Sequence, residues 1–286
     1  MMAGGIITPL LLDLYPGAIG AWSLRKLRNG YSGSAIRVRR ASDNAEQNIG
    51  FDINGDLNTA ALSAFCTGTN GFVTTWYDQA SNKNGLQTAA TSQPKIYDSV
   101  TGVLTQNGKP AVSFDGVDDF FDCGLINGGT KPANFSSMNV SRYSNLATLR
   151  FTFGSLDPAA SNTNSYNLTG VRTSKSENGF GNGAGGATLA ISTLNHTTNQ
   201  QLNSAYYVGG NTIQMYRDGL GLSLTYLLQS ASTCAGTEFK TSIGRGGEAN
   251  GFYFIGDQQE NIVYASDQTS SRVSIENNIK TYFGIP

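Results

Sequence analysis

From residue 72 to residue 264 the chain breaks into short runs rich in β-branched and aromatic residues, at 72–78, 110–114, 146–153, 187–193, 205–208, 211–217, 222–228, 238–243, 251–256 and 259–264, with Gly, Asn, Asp and Ser between them. Strands this short bury their apolar sides only when one sheet stacks on another. The pattern therefore predicts an all-β protein, a two-sheet jelly-roll sandwich. Charged residues are 14% of the chain and glycine fills 35 positions, a profile of tight turns rather than long helices. Sandwiches of 286 residues form single domains. Residues 1–14 are read as an N-terminal arm and 15–286 as the sandwich.

A few short helices are expected beside the strands. Pro16 suits the first turn of a helix running to about Arg28, with Ile19, Trp22 and Leu27 near one stripe and Gly30 as its stop. A second helix spans Asp56 to Cys66, capped by Asp56 or Asn58. A third closes the chain from Ser270 to Phe283, where Ile275, Ile279 and Tyr282 form an apolar stripe. Asp218-Gly219 is a tight-turn signal between two β runs.

The formal charge of −1, from 19 basic and 20 acidic residues, gives no field that would gather a polyanion, so nucleic acid and anionic membranes are excluded as main partners. Arg37, Arg39 and Arg40 are read as a strand's salt-bridge residues. Cys66, Cys123 and Cys234 cannot all pair with one another, which favours folding in a reducing cytoplasm. The N-terminal apolar run has no positive flank and is interrupted by Asp13 and Pro16, so it predicts neither an export signal nor membrane insertion. Its apolar residues Ile6, Ile7, Leu10, Leu11 and Leu12 call for a covering surface, either the sandwich itself or another subunit.

Three elements follow in order near the front: Arg40-Ala41-Ser42-Asp43, Ala64-Phe65-Cys66, and the run from Val73 through Trp76-Tyr77-Asp78-Gln79 to Asn82. Together they resemble the front of the concanavalin A-like sandwich of the fungal α-L-arabinofuranosidase B family. The same front, with a tail like Ile262 to Gln268 and Ile275 to Ile279, is similar to the laminin-G-like domains of bacterial surface proteins and bacteriophage virion proteins. The resemblance implies a concanavalin A-like jelly roll. It leaves residues 1–14 and roughly 125–205 unmatched.

A glycosidase sets two carboxyl groups across a sugar cleft, roughly 5 to 9 Å apart. The resemblance puts Glu248 at the family's acid/base position, shifted by one residue, within Ser242 to Glu248 and ahead of Gly251-Phe252-Tyr253. The family's nucleophilic glutamate has no counterpart in the runs 149–154 or 187–192, and Glu177 and Asp157 are the nearest acids. Sugar binding needs only aromatic faces and hydrogen-bonding side chains. Trp76, Tyr77, Asp78, Gln79, Asn82 and Asn84 offer these around one loop, and Tyr206, Tyr207, Phe252 and Tyr253 offer them elsewhere. His196 reads as a surface residue in a polar turn. No cofactor is expected, apart from a single Ca²⁺ for which Asp115, Asp118 and Asp119 are the candidate ligands; those aspartates equally suit a structural turn.

Lacking a second carboxylate, the sequence leads to the expectation of a non-enzymatic bacteriophage virion surface protein, as a head fibre, decoration protein or tail-associated adhesin. Its N-terminal arm would dock on other virion proteins, its sandwich would bind cell-surface glycans, and it would form a homo-oligomer on the virion surface after synthesis in the host cytoplasm. The alternatives are a retaining glycoside hydrolase acting on α-L-arabinofuranosyl groups, or a free carbohydrate-binding lectin, with an extracellular location.

Overall fold

The computed structural model describes residues 8–155, 166–181, 187–207, 211–229, 237–238, 240–246 and 252–286. Its architecture is the expected all-β sandwich with a few short helices. The organising strand is Ile255–Tyr264. On one side it pairs antiparallel with Phe135–Tyr143, which continues the sheet through Gln201–Tyr207 to Ile213–Arg217. On its other side lie Ala18–Ser23 and Val112–Asp115. The opposing layer runs from Glu46–Ile49 through Ile36–Arg40, Gly71–Trp76, Gly85–Leu86, Phe121–Gly124 and Thr241–Ile243 to Arg150–Ser155. It then continues into Tyr166–Arg172, Lys175–Gly181, Ala187–Asn195 and Leu224–Gln229.

Strand alternation divides the apolar residues between two cores. Val263, Trp22, Phe135 and Tyr207 point between the layers and meet Ile36, Val38, Val73, Trp76 and Phe121. Ile262, Tyr264, Met138, Val140, Leu202 and Tyr206 point the other way, onto Ile275, Ile279 and Phe283 of the helix Arg272–Phe283. The first sheet is thus covered on both faces. Trp22 and Trp76 are fully buried; at 150–250 Å² and about 25 cal/mol per Å², each contributes on the order of 4–6 kcal/mol of burial. Charged groups pin the closing helix to the sheet. Arg25 makes a two-pronged ion pair with buried Glu260 (2.8 and 3.0 Å) and reaches Asn278 on the helix, and Glu276 accepts from Ser204 and Tyr206 while pairing with Arg272.

Several expectations change. The segment read as a helix from Pro16 to Arg28 holds the strand Ala18–Ser23 instead. Its Ile19 and Trp22 fit a helical stripe, but Ala21 and Trp22 alternate into the two cores, and the free edge of Ile255–Tyr264 takes the backbone bonds. Residues 255–256 of the first of the last two runs and all of 259–264 lie on one strand, Ile255–Tyr264. Phe135–Tyr143 had no apolar signal because Ser136, Ser137, Asn139 and Ser141 are buried polar residues. Asn139 donates to Asn261 (2.7 Å) and accepts from Ser141 (2.5 Å), which makes the burial of those two side chains tolerable. The middle helix is Thr59–Phe65, with the Asn58 side chain accepting from the Ala61 N–H, and Asp218 (φ 54°) and Gly219 (φ 88°) form the left-handed hairpin turn.

The docking arm is corrected too. Leu11–Leu14 is a short helix, and Leu11 and Leu12 are buried in the second core of their own chain, so neither is free for another subunit. Leu10 is half-buried at the start of this helix, and Ile6 and Ile7 lie outside the described residues. Arg37 pairs with Glu46 and Arg40 with Asp43, while Arg39 donates to Gln93 and lies over Phe72. Cys66 and Cys123 are buried free thiols, burial pushing Cys66 up to about 11; Cys234 is outside the described residues.

Candidate functional site

The Tyr77-Asp78-Gln79 motif is first of all a structural staple. Asp78 is 1% exposed, and its carboxylate accepts from Ala21 N, Ala80 N, Ser81 N, Ser81 Oγ and Lys83 N at 2.7–2.9 Å. Gln79, equally buried, accepts from Leu27 N and donates to the carbonyls of Ser23 and Arg25. Trp76 lies in the main core, edge-on to Phe121 at 6.0 Å. Trp76, Asp78 and Gln79 are therefore corrected as sugar-contacting residues, because no ligand reaches their side chains. Tyr206 and Tyr207 are buried as well. What the staple does is fix the loop that follows, on which Asn82 (φ 63°) and Asn84 stand, the Asn84 side chain accepting from Asp78 N at 3.0 Å.

That loop forms one wall of an open cleft of about 570 Å³, lined by Asn82, Lys83, Asn84, Gln87, Phe120, Asp122, Lys240 and Arg245 among others. The floor is the strand Phe121–Gly124, where Asp122 stands opposite Leu86 on one side and Ser242 on the other. The Asp122 carboxylate accepts from Gly124 N at 2.8 Å and faces the Lys240 ammonium at 3.9 Å. The Arg245 guanidinium lies 3.6 Å over the Phe120 ring and donates to Ser242 Oγ, and Phe120 lies 6.3 Å from Tyr253. Amides, an aromatic face, cations and one carboxylate are the equipment for holding a hydroxyl-rich ligand. Asp122 is the one carboxylate among the described lining residues. Glu248 lies outside the described residues, three positions after Arg245 in the chain.

Of the two acids nearest in sequence to the missing nucleophile, Asp157 is outside the described residues. Glu177 is 1% exposed, engaged by Arg172 through both carboxylate oxygens, and its proton affinity is raised by burial against the pull of that guanidinium. The space beside it, lined by Tyr143, Thr169, Asn178 and Asn203, is about 10 Å³, room for about one water and not for a sugar ring. His196 is corrected from surface to core. It is 4% exposed, packs edge-on against Tyr143 at 4.8 Å, and contacts Thr197 O and Asn203 Oδ1 through its two nitrogens. Burial holds it down at about 4.

Asp115, Asp118 and Asp119 do converge, one carboxylate oxygen of each lying within 4.8 Å of the others. Their oxygens are also the acceptors of a turn: Asp119 takes Asp115 N, Asp115 takes Val117 N and Asp118 N, and Asp118 takes the Ser92 hydroxyl. Burial pushes Asp119 up to about 7, and the charges of Asp115 and Asp118 add to that shift. Phe114 and Phe121 on either side point into the core.

Sequence reasoning missed Asp122, Lys240 and Arg245 as a group, because they come together only through the pairing of Phe121–Gly124 with Thr241–Ile243.

Residues 16–115 match the family model described as the catalytic part of alpha-L-arabinofuranosidase B. An arabinofuranosidase/β-xylosidase of Trichoderma koningii and an alpha-L-arabinofuranosidase of Hypocrea jecorina are each 34% identical over 92 residues, 30% of this chain. The match spans 18% of the length of these curated relatives. Among solved structures, a GH54 α-L-arabinofuranosidase soaked with a cyclic sulfate inhibitor superposes with a TM-score of 0.67 at 16% identity, over 94% of this chain and 64% of that one. An arabinofuranosidase complexed with arabinofuranosyl-α-1,2-xylobiose gives 0.59 at 18% identity, over 92% and 62%. These structural likenesses establish the shared fold. The matches overturn the expectation of a non-enzymatic bacteriophage virion surface protein, with its fibre, decoration and adhesin roles, because they point to glycoside hydrolases. The chain is similar in fold along nearly its whole length, and in sequence most specifically over residues 16–115, to the catalytic sandwich of arabinofuranosidase B.

Proposed function

We propose that the chain is an extracellular glycoside hydrolase removing α-L-arabinofuranosyl groups in the cleft lined by Asn82, Asn84, Phe120 and Asp122. The observation that carries this reading is that the stretch matched by the arabinofuranosidase B model, 16–115, contains the whole Asp78-stapled wall of that cleft. Asn82 and Asn84 offer donors and acceptors to the hydroxyls of the furanose, and the half-buried Phe120 offers it an apolar edge. Asp122, held by Gly124 N and Lys240, is the carboxylate that would attack the anomeric carbon as the leaving oxygen takes a proton. Glu248 is our candidate for the proton donor, on the strength of its position in the Ser242 to Glu248 segment that also supplies Arg245 to the cleft. Water would then hydrolyse the glycosyl–Asp122 ester with the same acid acting as base, giving net retention.

The test is turnover of a panel of aryl glycosides that includes the α-L-arabinofuranoside, comparing the native chain with Asp122→Asn and Glu248→Gln. Selective turnover of the arabinofuranoside, reduced at least about a thousandfold in each variant with the fold intact, supports the reading. Unchanged turnover in both variants moves the chemistry elsewhere. No turnover by the native protein, with retained affinity for arabinofuranosyl oligosaccharides, makes the sandwich a lectin.

A further inference from the structure

The wall and the floor of the cleft are joined by little backbone. The loop wall ends in the two-residue strand Gly85–Leu86, and its register with the floor strand Phe121–Gly124 is a single pair, Leu86 opposite Asp122. The strands approach there so closely that a Cβ on Gly85 would lie 3.0 Å from the Phe121 Cβ. The next residue, Gln87, is 5% exposed and extends the joint with its side chain. Its Nε2 donates to the Phe120 carbonyl at 3.1 Å, its Oε1 accepts from Ala89 N at 3.0 Å, and its backbone N–H donates to the Thr74 carbonyl at 2.9 Å. From this we infer that Gln87 is a positioning residue, whose amide holds the Phe120 ring and the Asp122 carboxylate in register with Asn82 and Asn84 across the cleft. The inference rests on the reading of that cleft as the arabinofuranosyl site.

The amide is braced from behind. Gln93, 4% exposed, donates from Nε2 to the Gln87 carbonyl at 3.0 Å, and its Oε1 accepts from Arg39 Nε at 2.7 Å. Arg39 also donates to Asn44 Oδ1 and to the Ala90 carbonyl, and its guanidinium lies 5.2 Å over the Phe72 ring. Both buried amides are thus engaged at each end, and the bond from Arg39 is charge-assisted, which fixes the row Arg39, Gln93, Gln87, Phe120 in one arrangement. The row ends on groups that matter to a ligand. Phe120 lies under the Arg245 guanidinium and lines the cleft, and Asp122 stands two residues further on. A reacting carboxylate displaced by about 1 Å loses about a hundredfold in rate, so a loosened joint registers in catalysis before it registers in folding.

The experiment compares the native chain with Gln87→Met and Gln87→Glu, by kinetics on 4-nitrophenyl α-L-arabinofuranoside and by affinity for an arabinofuranosyl oligosaccharide, with rates taken per folded chain well below each thermal midpoint. Gln87→Met keeps the length and loses both side-chain bonds; kcat is expected to fall about ten- to hundredfold and affinity about three- to tenfold. Asn58→Ala uncaps the helix Thr59–Phe65 and lines no part of the cleft, so it lowers the thermal midpoint and leaves kcat at the native value. In Gln87→Glu the protonated acid reproduces the amide, its O–H donating to the Phe120 carbonyl, whereas the carboxylate turns a lone pair on that carbonyl. Its kcat relative to native is expected within about threefold at about pH 5, and down about tenfold or more by about pH 8. Native kcat in Gln87→Met, or a ratio for Gln87→Glu that stays flat over this range, overturns the inference. A native chain that binds the oligosaccharide without turnover sinks the hydrolase reading alone; weaker binding by Gln87→Met then sustains the positioning role, and equal binding overturns it. A native chain that neither binds nor turns over removes the site, and the inference with it.

Discussion

Replacing Asp78 should cost more stability than its place in a loop suggests. Its carboxylate is 1% exposed and takes five hydrogen bonds, four of them from the backbone N–H groups of Ala21, Ala80, Ser81 and Lys83. Asp78→Ala leaves all four unpaired. Ser81 Oγ can fall back on the Ile19 carbonyl, and the exposed Ser81 and Lys83 segments can turn to water, but Ala21 N sits in a buried strand and Ala80 N beneath the loop. At about 1–3 kcal/mol for each buried orphan, plus the loss of charge-assisted bonds, the cost is on the order of 3–5 kcal/mol. Asp78→Asn keeps one acceptor oxygen and turns an NH₂ toward two or three donors, for about 2–4 kcal/mol. Against a total of about 5–15 kcal/mol, either change is large in a urea titration. Because the same carboxylate sets the loop bearing Asn82 and Asn84, affinity for an arabinofuranosyl ligand should fall with stability. A loss below about 1 kcal/mol for Asp78→Ala would refute the staple.

Three further outcomes follow from buried charge. His196 is held at about 4 in the fold against about 6.5 unfolded; between these values the unfolded chain binds more protons, so stability drops as pH falls from about 6.5 to 4, by about 3 kcal/mol. His196→Gln should flatten that acid limb in thermal melts, and an unchanged limb would contradict it. Asp119 runs the other way: pushed up to about 7, it binds its proton better folded than unfolded, so stability is lost as pH rises from about 4 to 7, by at most about 4 kcal/mol. Asp119→Asn should gain stability relative to native at pH 8 and not at pH 4. Arg25→Met strands the buried Glu260 charge and should cost about 3–5 kcal/mol, much of it recovered in Arg25→Met with Glu260→Leu; no recovery in the double variant would show that the pair contributes more than mutual neutralisation.

Much of the architecture was legible because turns and apolar periods are local. Asp218-Gly219 needs positive φ at both residues, and Ile275 and Ile279 meet the second core at helical spacing. Phe135–Tyr143 was not legible, since Ser137, Asn139 and Ser141 look like a loop until Asn261 and Gln258 accept from Asn139 and Asn139 accepts from Ser141. The Ala18–Ser23 strand shows the opposite failure, a helical stripe overridden by a sheet edge. At the candidate site the Trp76 to Asn82 motif was visible, but which of its residues face solvent depended on strand register. Trp76 went inward, Asp78 and Gln79 became the staple, and Tyr77, Asn82 and Asn84 were left at the surface. Asp122 does not stand out in the sequence because the cations that give it meaning, Lys240 and Arg245, lie more than a hundred residues away.

The central claim, that Asp122 does nucleophilic chemistry on an arabinofuranosyl group in the open cleft, is tested most directly by covalent labelling. The native chain is treated with an arabinofuranose-configured cyclic sulfate, digested, and the modified peptide sequenced by mass spectrometry. The account predicts one label, on Asp122, blocked by excess arabinofuranoside. A label on Glu177 or another acid, or no label on a protein that still hydrolyses the aryl arabinofuranoside, would contradict it.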